Sequence, residues 1–180
     1  MSDRRFPSLV SLACHDLRTP LATVYGFART LARDEELGER QLRFIGMMEE
    51  ASEQMTRLLD DLGTAARIEA GHWEPMLREC NTFELAEGAS GEGTAIETDV
   101  DAVTRALEGL ANTARRHGPV EEIRWEVRGR ELALSPVLPG AAPVIMGEDA
   151  RELGALVARL VIEALGGSLA LDGETLRVRL

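Results

Sequence analysis

The chain contains no lysine: all 20 of its basic residues are arginine. This excludes chemistry that needs an ε-amino group, such as a P-loop or a Schiff base. Any cation that meets a phosphate here is a guanidinium. Aromatic residues make up only 4 % of the chain, so a core must be built from Leu, Val, Ala and Met. Positive charge is also short, and the formal net charge is −11. That balance argues against nucleic acid, where a basic surface supplies most of the affinity, and against anionic membrane surfaces. Cys14 and Cys80 are the only cysteines; two isolated thiols form neither a disulfide framework nor a metal site. A reducing, cytoplasmic setting is expected. No apolar run approaches about 18 residues and no signal-peptide pattern opens the chain, so a soluble protein is expected.

What is present is a 44 % hydrophobic chain of 180 residues, enough for one compact domain or two small ones. Its first 70 residues read as two long helices. Leu17, Leu21, Val24, Ala28 and Leu31 step by four and three, as do Ile45, Met48, Ser52, Met55, Leu59, Leu62 and Ala66. That spacing is the narrow seam of a coiled coil or four-helix bundle. The polar stretch Asp34 to Glu39, with Gly38, reads as the hairpin turn, and Gly71 as the stop of the second helix. Two helices cannot bury such a seam on both sides, so a second copy is expected to complete a four-helix bundle as a homodimer.

From about residue 76 the pattern becomes α+β. Ala89 to Thr94 reads as a Gly-rich turn. Asp101 to Arg116 reads as a helix with Val103, Leu107, Leu110 and Ala114 on one face. Ile123, Trp125 and Val127 alternate in a half-buried strand, Glu122 to Arg128, with Glu131 to Val137 as its hairpin partner across Gly129-Arg130. Pro136 to Pro143 reads as a loop and Glu148 to Leu165 as a helix. Ser168 to Leu171 and Thr175 to Leu180 read as a closing hairpin around Asp172-Gly173. Helices on a mostly antiparallel sheet are expected.

The chemistry concentrates in His15-Asp16-Leu17-Arg18-Thr19-Pro20-Leu21. A neutral histidine beside a carboxylate, on an exposed helix face, can act as a nucleophile: the acid orients the proton on one ring nitrogen and leaves the other free to attack phosphorus. Phosphoryl transfer needs positioning more than covalent machinery. Thr19 lies four residues on, shares the face of His15 and is placed to orient a water. Pro20 removes one helix hydrogen bond a turn after His15 and is expected to bend the helix there. His72 and His117 read instead as solvated or capping residues near helix ends.

Residues 15 to 21 resemble the H-box of sensor histidine kinases over all seven positions. The resemblance implies His15 as phosphoacceptor, Asp16 as its acid/base partner, and Thr19 as a residue that helps to hydrolyse a phosphorylated regulator. It implies a helical hairpin for dimerisation and phosphotransfer over residues 1–72, followed over residues 76–180 by an α/β sandwich of the family's ATPase type. Val103 to Gly118 resembles the N-box helix, and Leu153 to Gly167 resembles the last helix and its turn.

The second half departs from the family pattern where nucleotide would bind. The N-box Asn that holds Mg²⁺ aligns with Thr113; Asn112 is one position off, a rotation of about 100° on a helix. The Asp-x-Gly-x-Gly box that reads adenine is replaced by Pro136-Val137-Leu138-Pro139-Gly140, with Pro136 for the Asp and Leu138 for the first Gly. The Gly-x-Gly box before the last helix is Glu152-Leu153-Gly154, which puts a carboxylate where phosphates would lie. Only Ala141 to Arg151 separates the two boxes, too short for the usual lid. The expected fold is therefore a dimeric four-helix bundle followed by a degenerate, lid-less α/β sandwich.

The layout resembles dimeric histidine phosphotransferases. The expectation is a phosphorelay protein whose His15 exchanges a phosphoryl group with an Asp of a response-regulator receiver. No cofactor of its own is expected: ATP is not needed, and the receiver supplies Mg²⁺. The docking surface is expected below His15, on Arg18, Ala22 and Arg29. Two alternatives stand beside it: an atypical histidine kinase that labels His15 from ATP, and a receiver phosphatase or non-catalytic dimeric module. Neither nucleic acid nor membrane is an expected partner.

Overall fold

The protein was analysed as a computed structural model that describes residues 5–33 and 37–180. Contacts divide it into two units, Met1–His72 and Trp73–Leu180. The first is a helical hairpin of α1 (Arg5–Leu31) and α2 (Glu39–Ala70). Half of the expected turn, residues 34–36, lies outside the described residues; Gly38, in extended backbone, caps the start of α2. The stop of α2 is as expected. Gly71 takes φ +71°, and its N–H and that of His72 bond back to the carbonyls of Ile68 and Arg67, the left-handed turn that only glycine enters at little cost.

The apolar seam splits into two stripes. Cys14, Leu21 and Ala28 of α1 and Ile45, Ser52, Gly63, Ala66 and Ala70 of α2 are buried. The intervening positions, Leu17, Val24, Leu31, Met48, Met55 and Leu62, are all exposed by 39–53 %. The buried set is dominated by small residues, which lets the two helices approach closely. Ser52 meets the cost of its buried hydroxyl by donating to the Met48 carbonyl at 2.7 Å.

The second unit is a two-layer α/β fold. Its main sheet runs in the order β2 (Ser90–Gly93), β4 (Arg124–Gly129), β5 (Glu131–Ser135), β7 (Thr175–Arg179), β6 (Ser168–Asp172). Every pairing is antiparallel except β2 with β4. Alternation sends Trp125, Val127, Leu132, Leu134, Leu176 and Val178 inward. There they meet α3 (Val100–His117) and α5 (Leu153–Ala164), which carry Val103, Leu107, Leu110, Val157, Val161 and Ile162. The outer face is polar and carries Arg177–Glu131 and Arg128–Glu126 ion pairs. Such exposed pairs contribute little to stability, whereas each fully buried Leu or Ile contributes about 1.5–3 kcal/mol. The apolar layer therefore dominates the stability of this unit. A separate two-stranded ribbon, β1 (Arg78–Asn81) with β3 (Ala95–Thr98), flanks it.

The expected elements need three corrections. The Gly-rich stretch Ala89 to Thr94 contains an edge strand rather than a turn alone. Gly91, at φ +102°, approaches the Val127 carbonyl so closely that an added Cβ would lie 2.2 Å from that oxygen, so the pairing exists because no side chain is there. The last helix starts at Leu153 rather than Glu148. Residues before it are taken up by α4 (Ala142–Ile145), whose Pro143 carbonyl accepts from the N–H groups of Glu148 and Asp149; α4 also occupies the end of the expected Pro136 to Pro143 loop. The last hairpin pairs Asp172 with Thr175, so its turn residues are Gly173-Glu174, with Gly173 at φ +59°.

Candidate functional site

The helical hairpin presents His15 to solvent by fixing its neighbours. Cys14 is 1 % exposed and faces Gly63, whose absent side chain leaves room for it. One step along the helix rotates the next side chain by about 100°, and His15 stands 76 % exposed. A turn later Arg18 donates from Nε and Nη2 to Asp60 Oδ1 at 3.1 and 2.7 Å. This pair and the Cys14–Gly63 contact lock α1 to α2 beside the histidine.

His15 Nδ1 lies 3.2 Å from Asp16 Oδ1. A carboxylate accepts, so the pair favours the tautomer with the proton on Nδ1 and the lone pair on Nε2. Thr19 is exposed on the following turn, and its carbonyl accepts from the Thr23 hydroxyl at 3.1 Å. The helix runs on through Pro20, which, lacking an N–H, leaves the Asp16 carbonyl without its intrahelical donor. Of the residues expected to dock a partner, Ala22 is exposed and lines a groove of about 420 Å³ with Tyr25, Glu53, Thr56 and Arg57. Arg29 lies over the Tyr25 ring, 5.7 Å from its centre. Arg18 is half-buried and engaged by Asp60, so its guanidinium is less free than Ala22 or Arg29 to meet a partner.

In the second unit the positions that the resemblance assigns to nucleotide carry other duties. Thr113 is 3 % exposed and its hydroxyl donates to the Gly109 carbonyl at 2.8 Å. Pro136 and Leu138 flank Val137, which is buried and whose N–H donates to the Glu174 carbonyl at 2.7 Å. Gly154, in the first turn of α5, closes on α3: a Cβ on Gly109 would lie 3.3 Å from its carbonyl oxygen. Glu152 is the residue at the N-terminus of α5. Its carboxylate accepts from Arg116 at 2.8 and 3.0 Å and sits 3.0 Å from His117 Nε2. A phosphate brought to this helix end would meet a carboxylate already paired with the Arg116 guanidinium. No group of three or more His, Cys, Asp or Glu side chains gathers into a metal site among the described residues.

Residues 8–71 match the family model for the His Kinase A phospho-acceptor domain. The chain is 28 % identical to the sensor protein KdpD of Mycobacterium tuberculosis over a 205-residue alignment, covering 91 % of this chain and 24 % of that protein. It is 27 % identical over 107 residues to the sensor protein DivL of Caulobacter vibrioides, covering 59 % of this chain and 14 % of that protein. The helical hairpin thus matches the histidine kinase phospho-acceptor family, and the chain as a whole is similar to sensor histidine kinases. It spans about a quarter or less of the length of these curated relatives. Two solved structures share the fold of this chain. Full-length ShkA, solved in complex with AMPPNP, superimposes with TM-score 0.65 at 18 % identity, over 96 % of this chain and 44 % of that one. The histidine kinase AdeS of Acinetobacter baumannii gives TM-score 0.54 at 16 % identity, over 92 % and 97 %.

Several residues around these positions carry no signal in the sequence. Asp60 is the partner of Arg18, and Arg116 and His117 are the partners of Glu152. His117 is thus a hydrogen-bonding partner of Glu152 rather than a simple cap, and nothing in its local sequence marks Glu152, 35 residues away, as its neighbour. Arg67 and His72 line the same groove as His15, although no motif links them to it.

Glu152 has a pH signature. Burial pushes its carboxyl up, but the hydrogen bonds from Arg116 and His117 outweigh burial and hold it below the usual carboxylate range. A depressed folded-state value stabilises the fold above the ordinary carboxylate pKa, and that stabilisation is lost as pH falls through the depressed value. Glu152→Gln should therefore lower the melting temperature near neutrality, and the gap to wild type should close in acid. Thermal melts across that range check it; a gap independent of pH would contradict the ion-pair account.

Among the described residues, no helix is long and apolar enough to cross a membrane.

Proposed function

We propose that the chain is a histidine phosphotransfer protein of a phosphorelay, loaded by a phosphorylated receiver and not by ATP. The observation that carries this reading is Glu152 at the N-terminus of α5, paired with Arg116 and His117. The residues present do not fit a nucleotide. The adenine-reading Asp is replaced by Pro136, the metal-binding position by a buried Thr113 with a committed hydroxyl, and the phosphate-binding glycine by Glu152.

In this reading Nε2 of His15 attacks the phosphorus of a receiver aspartyl phosphate. An N–P bond forms, the acyl P–O bond breaks, and the receiver carboxylate leaves with the electron pair. The proton stays on Nδ1, and Asp16 stabilises the imidazolium that results. The reverse sequence hands the group to a second receiver. The receiver brings the Mg²⁺, and docks on the exposed face that carries Ala22 and Arg29. The acting form is a homodimer, because the exposed stripe of Leu17, Val24, Met48, Met55 and Leu62 needs a second copy to cover it.

A second reading has its own support: the relatives are named as sensor proteins, and ShkA was solved with AMPPNP. A kinase would carry ATP in the second unit and pass its γ-phosphoryl to His15. Thermal melts divide the two. A ligand that binds only the folded state raises the melting temperature, by about 2.7 kcal/mol of stabilisation at a hundredfold excess over Kd. Millimolar AMPPNP with Mg²⁺ is expected to leave the melting temperature unchanged; an upward shift would overturn the ATP-independent reading. Thr19, exposed beside His15, fits a further role in positioning water, so that Thr19→Ala is expected to slow receiver dephosphorylation and spare transfer.

A further inference from the structure

We infer that Arg67 and His72 form a cradle of N–H donors, centred on the Arg67 guanidinium, for the phosphoryl group carried by His15. The inference rests on the reading of His15 as a phosphoryl carrier and adds residues of α2 and its cap to the reaction. His15, Arg67 and His72 line one groove of about 400 Å³ between the two helices, with Ser11, Leu12 and Ala70 among its other walls. None of the groove's described lining residues is acidic. In a chain of net charge −11, that makes the groove a local exception in a field that otherwise repels phosphate.

Two local devices aim these side chains. Gly63 packs against Cys14, so this part of α2 runs level with the residue preceding His15. Thr64, the next residue, accepts a hydrogen bond from Arg67 Nη2 at 3.2 Å. The hydroxyl thus draws the guanidinium back along α2 toward the level of His15. Beyond it, the left-handed turn at Gly71 folds the chain back, and the His72 N–H bonds to the Arg67 carbonyl at 2.9 Å. This keeps the His72 ring at the groove instead of carrying it past the helix end.

Asp16 holds Nδ1 from one side of the His15 ring, which leaves Nε2 for the phosphoryl group. When Nε2 takes the group, the ring becomes an imidazolium and the phosphoryl oxygens retain their negative charge. Arg67 offers a planar fork of N–H donors matched to those oxygens, and His72 offers one more. The same contacts assist the reverse step, because the charge on the transferring oxygens must be balanced in both directions.

Phosphoramidate, a small-molecule donor that phosphorylates histidine without a receiver, tests the cradle directly. Phosphorus NMR on the full chain reads the loading rate and the lifetime of phosphohistidine at position 15. Arg67→Ala and Arg67→Gln are expected to slow loading by about tenfold or more, the loss expected for one charge-assisted contact. Arg67→Lys should recover part of the rate, and His72→Ala should show a smaller loss. Wild-type loading should weaken as salt is raised, and Arg67→Gln loading should respond less. Arg67→Ala and Arg67→Gln proteins that are both folded by circular dichroism and load at the wild-type rate with wild-type salt dependence would overturn the cradle. The same proteins are then offered a phosphorylated receiver. A wild type that loads from phosphoramidate in an Arg67-dependent way but not from the receiver refutes the relay and leaves the cradle standing. A wild type that relays with no Arg67 dependence in either assay refutes the cradle alone.

Discussion

His15→Ala is expected to abolish acceptance of phosphate from a phosphorylated receiver, a loss of at least about a thousandfold, as when a nucleophile is removed from a covalent mechanism. The expectation is this large because His15 is the imidazole whose Nδ1 lies against Asp16, leaving Nε2 for attack on phosphorus. Thr19 and Ser11 are ordinary hydroxyls, and the rest of the groove is apolar apart from Arg67 and His72. Stability should scarcely change. The side chain is 76 % exposed, and substitutions at such positions stay within about 0.5 kcal/mol. Radiolabel transfer followed by gel electrophoresis measures the first part, and thermal melting the second. Retained labelling in a folded His15→Ala protein would move the acceptor elsewhere. Asp16→Asn should slow transfer without abolishing it, since Asp16 orients the ring but forms no bond to phosphorus.

Val24→Glu and Leu62→Glu should separate the protein into single chains. Both positions belong to the exposed stripe, at 43 % and 39 %. In a two-fold symmetric bundle each substitution acts twice, once per subunit. Burying an apolar side chain of this size is worth about 1.5–3 kcal/mol, and a buried unpaired carboxylate adds a larger penalty. Doubled, this exceeds what a modest interface can absorb. Light scattering after size exclusion should report twice the 19.6 kDa chain mass for wild type and the single-chain mass for either variant. Leu21→Glu serves as contrast. Leu21 is 8 % exposed, inside the hairpin itself, so this change should melt the helices rather than merely part the subunits. A wild type that runs as a single chain would remove the dimer from the account.

What could be read from the chain in advance divides along a physical line. Contiguous signals were legible. Residues 15 to 21 form one unbroken motif, the three-and-four spacing marks both long helices, and Gly71 marks the end of the second. Alternation at Trp125 and Val127, or at Leu132 and Leu134, needs only the neighbouring residues to be recognised as strand. Features that depend on an approach from elsewhere in the chain were not legible. Gly91 looks like a turn glycine until Val127 is seen pressed against it. The start of α5 shifts because α4 captures the residues before it. The period of the seam identified the apolar positions of both helices but could not say which would be buried within one chain. That depends on the rotation of each helix, which small residues such as Cys14, Gly63 and Ala66 set through close contact. Around His15, the partners written next to it were visible, whereas Arg67 and His72, more than 50 residues away, come to the groove only through the hairpin.

The degenerate boxes illustrate the same division from the other side. The loss of glycines and of a carboxylate at Pro136, Leu138 and Glu152 could be read letter by letter. That Glu152 has acquired Arg116 and His117 as partners could not. The distinction matters because a missing residue is only an absence, whereas a paired carboxylate at the helix end actively competes with a phosphate.

One side-by-side labelling experiment tests whether His15 is loaded by another protein and not from ATP. The full chain is incubated with Mg²⁺ and either γ-labelled ATP or a labelled phospho-receiver, with His15→Ala in parallel, and alkali-stable, acid-labile label on the chain is counted. Label is expected from the receiver alone, and none on His15→Ala. Label on His15 from ATP, with no receiver present, would contradict this expectation.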